Sequence, residues 1–184
     1  RNCNIAIEGI EASQALKSND VATSRKMYQM LGEAYTMRAY WYSMLTFYFG
    51  DVPNVRQAPK AGNDFFLPKE DRNVILSQVI DDLIKIEDKM LWADQNSYSI
   101  EQINREYTMG MIARLALQRG GYYLTPSMQM ERKSDYLDYY KIAKTYTEKL
   151  ISLKDRALPT DFRQVFLNES KFVTPSNSDV LFEV

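Results

Sequence analysis

The sequence predicts an all-α domain, an array of stacked helix pairs joined by long loops. Three features point there. Apolar residues recur at spacings of three and four in four separate stretches, the period of an amphipathic helix. Glycine is scarce, 7 of 184 residues, too few for a turn-rich all-β fold. Two of the stretches end in helix-stop chemistry, Gly50 with Pro53 and Gly120 with Gly121.

Ile5, Ile7, Ile10, Ala12, Ala15 and Leu16 have roughly helical spacing and mark the end of a helix across residues 1–16. Lys17 to Asp20 forms a turn, and Asp20, Thr23 or Ser24 can cap a second helix. That helix is expected from about Ala22 to Phe49 and contains the organising stretch Leu31–Pro53. Its stripe is Met27, Leu31, Ala34, Trp41, Leu45 and Tyr48 or Phe49, interrupted by Arg38. Tyr35, Tyr40, Tyr42 and Phe47 occupy other faces, which predicts burial from several directions and puts Trp41 in the core. Gly50 suits the left-handed stop, and Pro53 prevents continuation.

Asn54 to Leu67 is a connecting loop. Pro68 and Asp71 open a helix to about Leu91, with the stripe Ile75, Val79, Leu83, Ile86 and Met90. Asp81 with Lys85, and Lys85 with Asp88, can pair on its wet face. Trp92 to Ser99 is a polar loop, and Ser99-Ile-Glu-Gln102 has capping-box form, predicting a helix to about Arg119. Gly110, Ala113 and Ala116 make a smooth ridge that another helix could approach closely. Ser134 or Asp135 caps a helix to about Leu153, with the stripe Tyr136, Tyr139 or Tyr140, Ala143, Tyr146 and Leu150. Asp155 to Ser178 reads as irregular with a helical turn at Phe162–Phe166, and Val180–Val184 as strand-like.

Tyr28-x-x-Leu31-Gly32-x-x-Tyr35 matches the first half of the tetratricopeptide pattern, and Tyr107 and Tyr140 lie about one such repeat apart. Residues 1–184 are therefore read as one domain of tetratricopeptide-like helix pairs, an α-α superhelix.

Composition removes most catalytic classes. There is no histidine, which excludes Ser–His and Cys–His catalysis and every His-containing zinc or di-iron pattern. Cys3 is alone, so no intrachain disulfide and no multi-cysteine metal site can form. The 23 basic and 24 acidic residues are spread along the chain, which argues against a nucleic-acid partner. No apolar run has membrane-spanning length; Met37–Phe49 contains Arg38, Ser43 and Thr46. No Gly-rich phosphate loop and no nucleophile elbow occur. No catalytic, cofactor-binding or metal residue is assigned, no cofactor is expected, and the protein is read as a non-enzyme.

A few residues invite a sharper reading beside a structural one. Asp81 and Asp82 are adjacent carboxylates, but neighbours on a helix point about 100° apart, so a solvated face is the stronger reading. Arg38 among apolar neighbours needs an acceptor and reads as a clamp between elements, with a ligand carboxylate as the alternative. Trp92, Tyr98, Tyr122 and Tyr123 lie near helix ends. They either offer rings to the apolar faces of sugars or close helix-pair junctions, and the second reading is favoured. Asn168-Glu-Ser170 is a formal glycosylation sequon.

The chain resembles the SusD/RagB family, outer-membrane nutrient-binding lipoproteins of Bacteroidetes-type bacteria. The most specific block is Gly32-Glu33-Ala34, Arg38-Ala39 and the aromatic run to Phe49-Gly50-Asp51-Val52-Pro53, similar to the family's G-E-A…R-A…F-G-D-x-P signature. The Asn-containing helix from Arg1 precedes it. Ile80-Asp-Asp-Leu83, Met111-Ile-Ala-Arg-Leu115, Tyr139-Tyr-Lys-Ile-Ala143, then Phe166 and Asn177 to Val184 come after it in the family's order. Asn104-Arg-Glu stands in place of the usual Gly-Arg-Ala opening, and Asp179-Val180 in place of Glu-Ile.

The resemblance implies the central helical part of a longer fold, with a lipid-anchor cysteine upstream that Cys3 does not supply. It implies a surface-exposed, non-enzymatic subunit of an outer-membrane uptake complex. The partner is a SusC-like TonB-dependent transporter, and the ligand an oligosaccharide or a peptide. Ligand-facing residues in that family come mostly from segments outside the helices matched here, so no ligand-binding residue is named. The alternative is a protein–protein interaction scaffold of the tetratricopeptide class. An all-α hydrolase or lyase acting through carboxylates has no motif to support it.

Overall fold

The computed structural model describes residues 1–154, 158, 160–173 and 179–183. Besides four short 3-10 turns, its regular structure comprises six α-helices and one small hairpin: α1 (Asn2–Ala12), α2 (Val21–Phe49), α3 (Arg72–Ile86), α4 (Arg105–Gly120), β1 (Tyr123–Leu124), β2 (Met130–Glu131), α5 (Tyr136–Leu153) and α6 (Phe162–Ser170). Each of the first five helices packs chiefly on its neighbours in sequence, and α4 lies most extensively against α5. This is the stacked-pair arrangement that the spacing of apolar residues predicts.

Helix starts are set by side chains that take orphan backbone donors. Asp20 accepts from Ala22 and Thr23 at the head of α2, and Asp71 accepts from Asn73 at the head of α3. At the other end of α2, Gly50 has φ 74° and its N–H donates to the Thr46 carbonyl. The start of α4 differs from the expected capping box. Ser99–Glu101 forms a separate 3-10 turn with Ser99 at φ 48°, and the true cap is Asn104, whose side chain accepts from Tyr107. An Asn cap in extended conformation serves the same donors, so the helix begins at Arg105.

Two apolar clusters fill the interior. One joins Ala39 and Tyr42 of α2 to Ile75, Leu76, Val79, Ile80 and Leu83 of α3, Ile112, Leu115 and Ala116 of α4, and Ala143 of α5. The other joins Ile7 and Ile10 of α1 to Leu16, Leu31, Ile86, Met90 and Ile103. The predicted α3 stripe is buried throughout, from Ile75 to Met90.

The α2 stripe is a correction. Its buried seam is Gln29, Gly32, Thr36, Ala39, Ser43 and Thr46, mostly polar or small, together with Leu31, Arg38 and Tyr42. Trp41, assigned to the core from sequence, is 55% exposed, and Phe47, Tyr48 and Phe49 are more exposed still. The seam is polar because it is hydrogen-bonded across helices. Thr36 and Thr108 hydroxyls meet at 3.0 Å, and Gln118 donates to the Ser43 carbonyl and the Thr46 hydroxyl at 3.4 Å each.

Three smaller differences arise from local chemistry. The Gly110 position of the small-residue ridge faces Leu181, 3.0 Å from where a Cβ would sit, rather than another helix. A close approach between helices is at Gly120, whose missing Cβ leaves room for the Tyr140 ring. The loop after α4 holds a two-residue antiparallel ladder, Tyr123 opposite Glu131 and Leu124 opposite Met130, turned by Met128 at φ 61°. The helical turn expected at Phe162–Phe166 extends into the longer α6, which therefore contains the Asn168-Glu-Ser170 sequon.

Residues 179–183, expected to be strand-like, run back along α4 without a sheet partner among the described residues. The Glu183 N–H donates to the Ile100 carbonyl, the Asn104 side chain donates to the Leu181 carbonyl, and Phe182 stacks on Tyr107 at 4.7 Å. Residues 155–157, 159, 174–178 and 184 lie outside the described residues, and with them part of the expected irregular segment and of the Asn177–Val184 motif.

Candidate functional site

Arg38 finds its acceptor inside the fold. Its Nη2 donates to the Asp82 carboxylate at 2.8 Å and its Nη1 to the Asn4 side-chain oxygen at 3.1 Å. Arg56 donates to the same Asp82 oxygen at 2.6 Å. Asn4 donates in turn to the Val55 and Gln57 carbonyls, and the Tyr42 hydroxyl both donates to and accepts from Val55. Arg38 is 5% exposed, so this constellation ties α1, α2, α3 and the loop after Pro53 together rather than facing a ligand. The clamp reading holds. The solvated-face reading of Asp81 and Asp82 holds for Asp81 alone, because Asp82 turns inward to the two arginines. Neither predicted Lys85 pair forms among the described residues.

The four candidate aromatics do not converge. Tyr98 is 69% exposed and lines neither the hollow beside Tyr122 nor the cleft beside Trp92. Tyr122 shares its shallow hollow with Tyr136, and the Arg132 guanidinium lies there 4.7 Å and 3.5 Å from the two ring centroids. Tyr123, on the hairpin, has Arg72 and Lys133 each 5.7 Å from its centroid. In both places cations already cover the rings.

Trp92 also has cations against its ring, and it borders a cleft of about 420 Å³ between the start of α2 and the loop from α3 to α4. That volume is in the range of small-ligand sites. The cleft is also lined by Arg25, Tyr28, Asp88, Lys89, Gln95 and Arg105. The Asp20 cap fixes the first turns of α2, and the Ser24 hydroxyl anchors them to the Leu16 carbonyl at 3.0 Å. Arg25 and Tyr28 lie on the cleft side of those turns.

The loop carrying Trp92 is held from beneath by a buried amide. Gln29, 3% exposed, accepts from the Leu91 N–H at 2.8 Å and donates to the Ile103 carbonyl at 2.7 Å. The Arg105 N–H donates to the Leu91 carbonyl, and the Ala93 N–H donates to the Glu106 carboxylate, both at 2.8 Å. Trp92 is thus set on a rigid support, as a binding residue requires. Tyr28 and Gln29 carried no site signal in the sequence, where Tyr28 counted only as part of the repeat pattern.

Cations dominate the cleft. The Arg105 Nε donates to Glu87 at 2.9 Å, and Lys149 also pairs with that carboxylate, which is 2% exposed. The Arg105 guanidinium lies 4.6 Å from the Trp92 centroid, and Lys154, bound to Asp94 at 3.0 Å, lies 4.8 Å from it. Lys89 sits 4.7 Å over the Tyr28 ring. Arg25 donates to the Gln95 side chain at 2.9 Å. The arrangement suits recognition of a polar ligand. Among the described residues no group of three or more His, Cys, Asp or Glu could hold a metal ion.

No sequence-family model matches the chain, and no curated protein is similar to it at a significant level. Solved structures do match. A SusD homologue from Bacteroides thetaiotaomicron superposes with a TM-score of 0.75 at 16% identity, covering 95% of this chain and 31% of its own. B. fragilis NanU gives 0.69 at 22% identity, covering 98% and 32%. Surface glycan-binding protein A from Bacteroides uniformis gives 0.67 at 14% identity, covering 92% and 33%. The chain spans about a third of the length of these proteins. Its fold is the helical scaffold of the SusD-like proteins.

Proposed function

We propose that this chain is the helical part of a SusD/RagB-family protein that captures glycans without chemically altering them. The observation that carries the reading is the superposition on a SusD homologue over 95% of the chain. The Gly32–Pro53 block supports it, since Gly32 meets Met90, Arg38 forms the clamp and Gly50 makes the stop. One matched structure is described as a SusD-like carbohydrate-binding protein and another as a surface glycan-binding protein. In this reading the protein is lipid-anchored on the outer-membrane surface and delivers oligosaccharide to a SusC-like TonB-dependent transporter.

The test is a labelled-glycan array with the intact protein, beside purification from outer membranes to look for a co-purifying TonB-dependent transporter. Saccharide binding and a transporter partner are expected. Cytoplasmic fractionation, or failure to bind any saccharide, overturns the reading.

A second reading, a protein-interaction scaffold of the tetratricopeptide class, draws on the exposed rings of Trp41, Phe47, Tyr48 and Phe49 along one end of α2. It predicts peptide capture that Trp41→Ala with Tyr48→Ala abolishes, with no effect on saccharide binding.

A further inference from the structure

We propose that the Tyr28–Trp92 cleft takes a saccharide carrying an anionic group, a carboxylate or a sulfate; this rests on the glycan-binding reading. A neutral sugar stacks its C–H groups on a bare aromatic face. The two rings here already carry cations: Arg105 and Lys154 sit 4.6 and 4.8 Å from the Trp92 centroid, and Lys89 sits 4.7 Å from that of Tyr28. What meets an incoming ligand is charge.

That charge is positive in balance. The lining holds Arg25, Lys89 and Arg105 against the single carboxylate of Asp88. Lys89 has no carboxylate partner among the described residues, and Arg25 is bound only to the neutral Gln95 side chain. Arg105 spends its Nε on Glu87, and among the described residues its two terminal nitrogens have no hydrogen-bond partner. A guanidinium binds a carboxylate or sulfate with two parallel hydrogen bonds through such nitrogens. Glu87 is buried, so it holds that fork in one orientation before any ligand arrives. The Trp92 loop is pinned by Gln29 and the start of α4, so the cleft does not have to be assembled on binding.

The test is calorimetric titration of the protein with trigalacturonate, a sulfated galactose disaccharide, neutral α-1,4-galactotriose and a short polyglutamate. Lys89→Gln and Arg25→Gln are the test variants, both at exposed positions, and Lys141→Gln on α5 is the control. An acidic saccharide binds more tightly than the neutral trisaccharide. Each test variant weakens that binding about tenfold, the scale of one charge-assisted hydrogen bond, and Lys141→Gln leaves it unchanged. Affinity also falls as salt is raised.

Trigalacturonate without the sulfated sugar, or the reverse, identifies the anionic group. Equal binding of the neutral trisaccharide overturns this inference and leaves the glycan reading standing. Acidic-saccharide binding indifferent to Lys89→Gln and Arg25→Gln removes it from this cleft. Polyglutamate binding as tightly as the saccharides overturns the saccharide assignment. Binding of no saccharide overturns both readings.

Discussion

Replacing Asp82 by alanine, beside the same change at Asp81, isolates the clamp that joins the first three helices. The two carboxylates are adjacent in sequence and opposite in environment. Asp81 is exposed, while the Asp82 side chain is 13% exposed and accepts from Arg38 at 2.8 Å and Arg56 at 2.6 Å. Without Asp82, the Arg38 guanidinium, 5% exposed, keeps only the Asn4 oxygen at 3.1 Å, and its Nε already lacks a partner. Removing one side of a buried pair costs about 3–5 kcal/mol. The Arg56 arm is 31% exposed and adds little, so the lower end applies. For a chain of this size each kcal/mol moves Tm by about 2–4 °C, so Asp82→Ala should lower it by roughly 6–12 °C. Asp81→Ala, away from any such contact, should change stability by no more than about 0.5 kcal/mol.

Thermal unfolding followed at 222 nm measures both. A third variant, Arg38→Met with Asp82→Leu, separates a lost attraction from an uncompensated charge. Replacing a buried ion pair by apolar side chains is often neutral, so this chain should recover most of the loss. The reasoning is refuted if Asp82→Ala and Asp81→Ala unfold together, or if the double variant is as unstable as Asp82→Ala.

Gln29→Leu leaves the Leu91 N–H without a partner and the Ile103 carbonyl with only the long 3.5 Å bond from Asn96; at about 1–3 kcal/mol for an unsatisfied buried group, denaturant unfolding should show a loss of roughly 1–3 kcal/mol, with faster amide exchange at Leu91. Gly120→Ala puts a methyl 2.8 Å from the Tyr140 ring and 3.0 Å from the Tyr136 carbonyl, and should cost roughly 1–3 kcal/mol despite the better helix former, read as a lower Tm. Gly110→Leu pushes against Leu181 rather than a helix, so its main effect should be release of the segment after residue 179, seen as faster proteolysis there. Burial raises the Asp71 carboxyl, but hydrogen bonds from Lys133 and Asn73 outweigh it and hold the group below 3.8, while the Asp71 bond raises Lys133 above 10.5. The depressed carboxyl stabilises α3 above 3.8 and loses that contribution as pH falls through its lower folded value; the raised amine stabilises below 10.5 and loses it as pH rises through its higher one. Lys133→Met should therefore move the Asp71 titration upward, measured by carboxyl NMR.

The elements that were legible are those whose signals are local. Asp20, Asp71 and Gly50 each act on donors or carbonyls within one turn, and the α3 stripe is apolar on the face that is buried. The start of α4 shows how such a signal misleads. Ser99 with Gln102 has the spacing of a cap, but the chain makes a 3-10 turn there, and Asn104 does the capping. The hairpin had no marker at all, since its turn uses Met128 rather than glycine at positive φ.

The α2 error has a deeper cause. A periodicity argument assumes that the buried face is the apolar face. This helix carries a seam of Gln29, Gly32, Thr36, Ala39, Ser43 and Thr46 at alternating spacings of three and four, and a more apolar run through Trp41, Leu45 and Tyr48 on another side. The polar seam is the buried one because its groups are answered by Thr108, Gln118, Leu91 and Ile103, none of them visible from the helix alone. The cleft was hidden for the same reason. Arg25, Lys89 and Arg105 read as solvated charges on three separate segments. They come together because Gln29, at the N-terminal end of that seam, fixes the loop on which Trp92 stands. Trp92 alone was a weak signal. Its setting depends on a glutamine one turn beyond Arg25, whose burial a hydrophobicity pattern would count against.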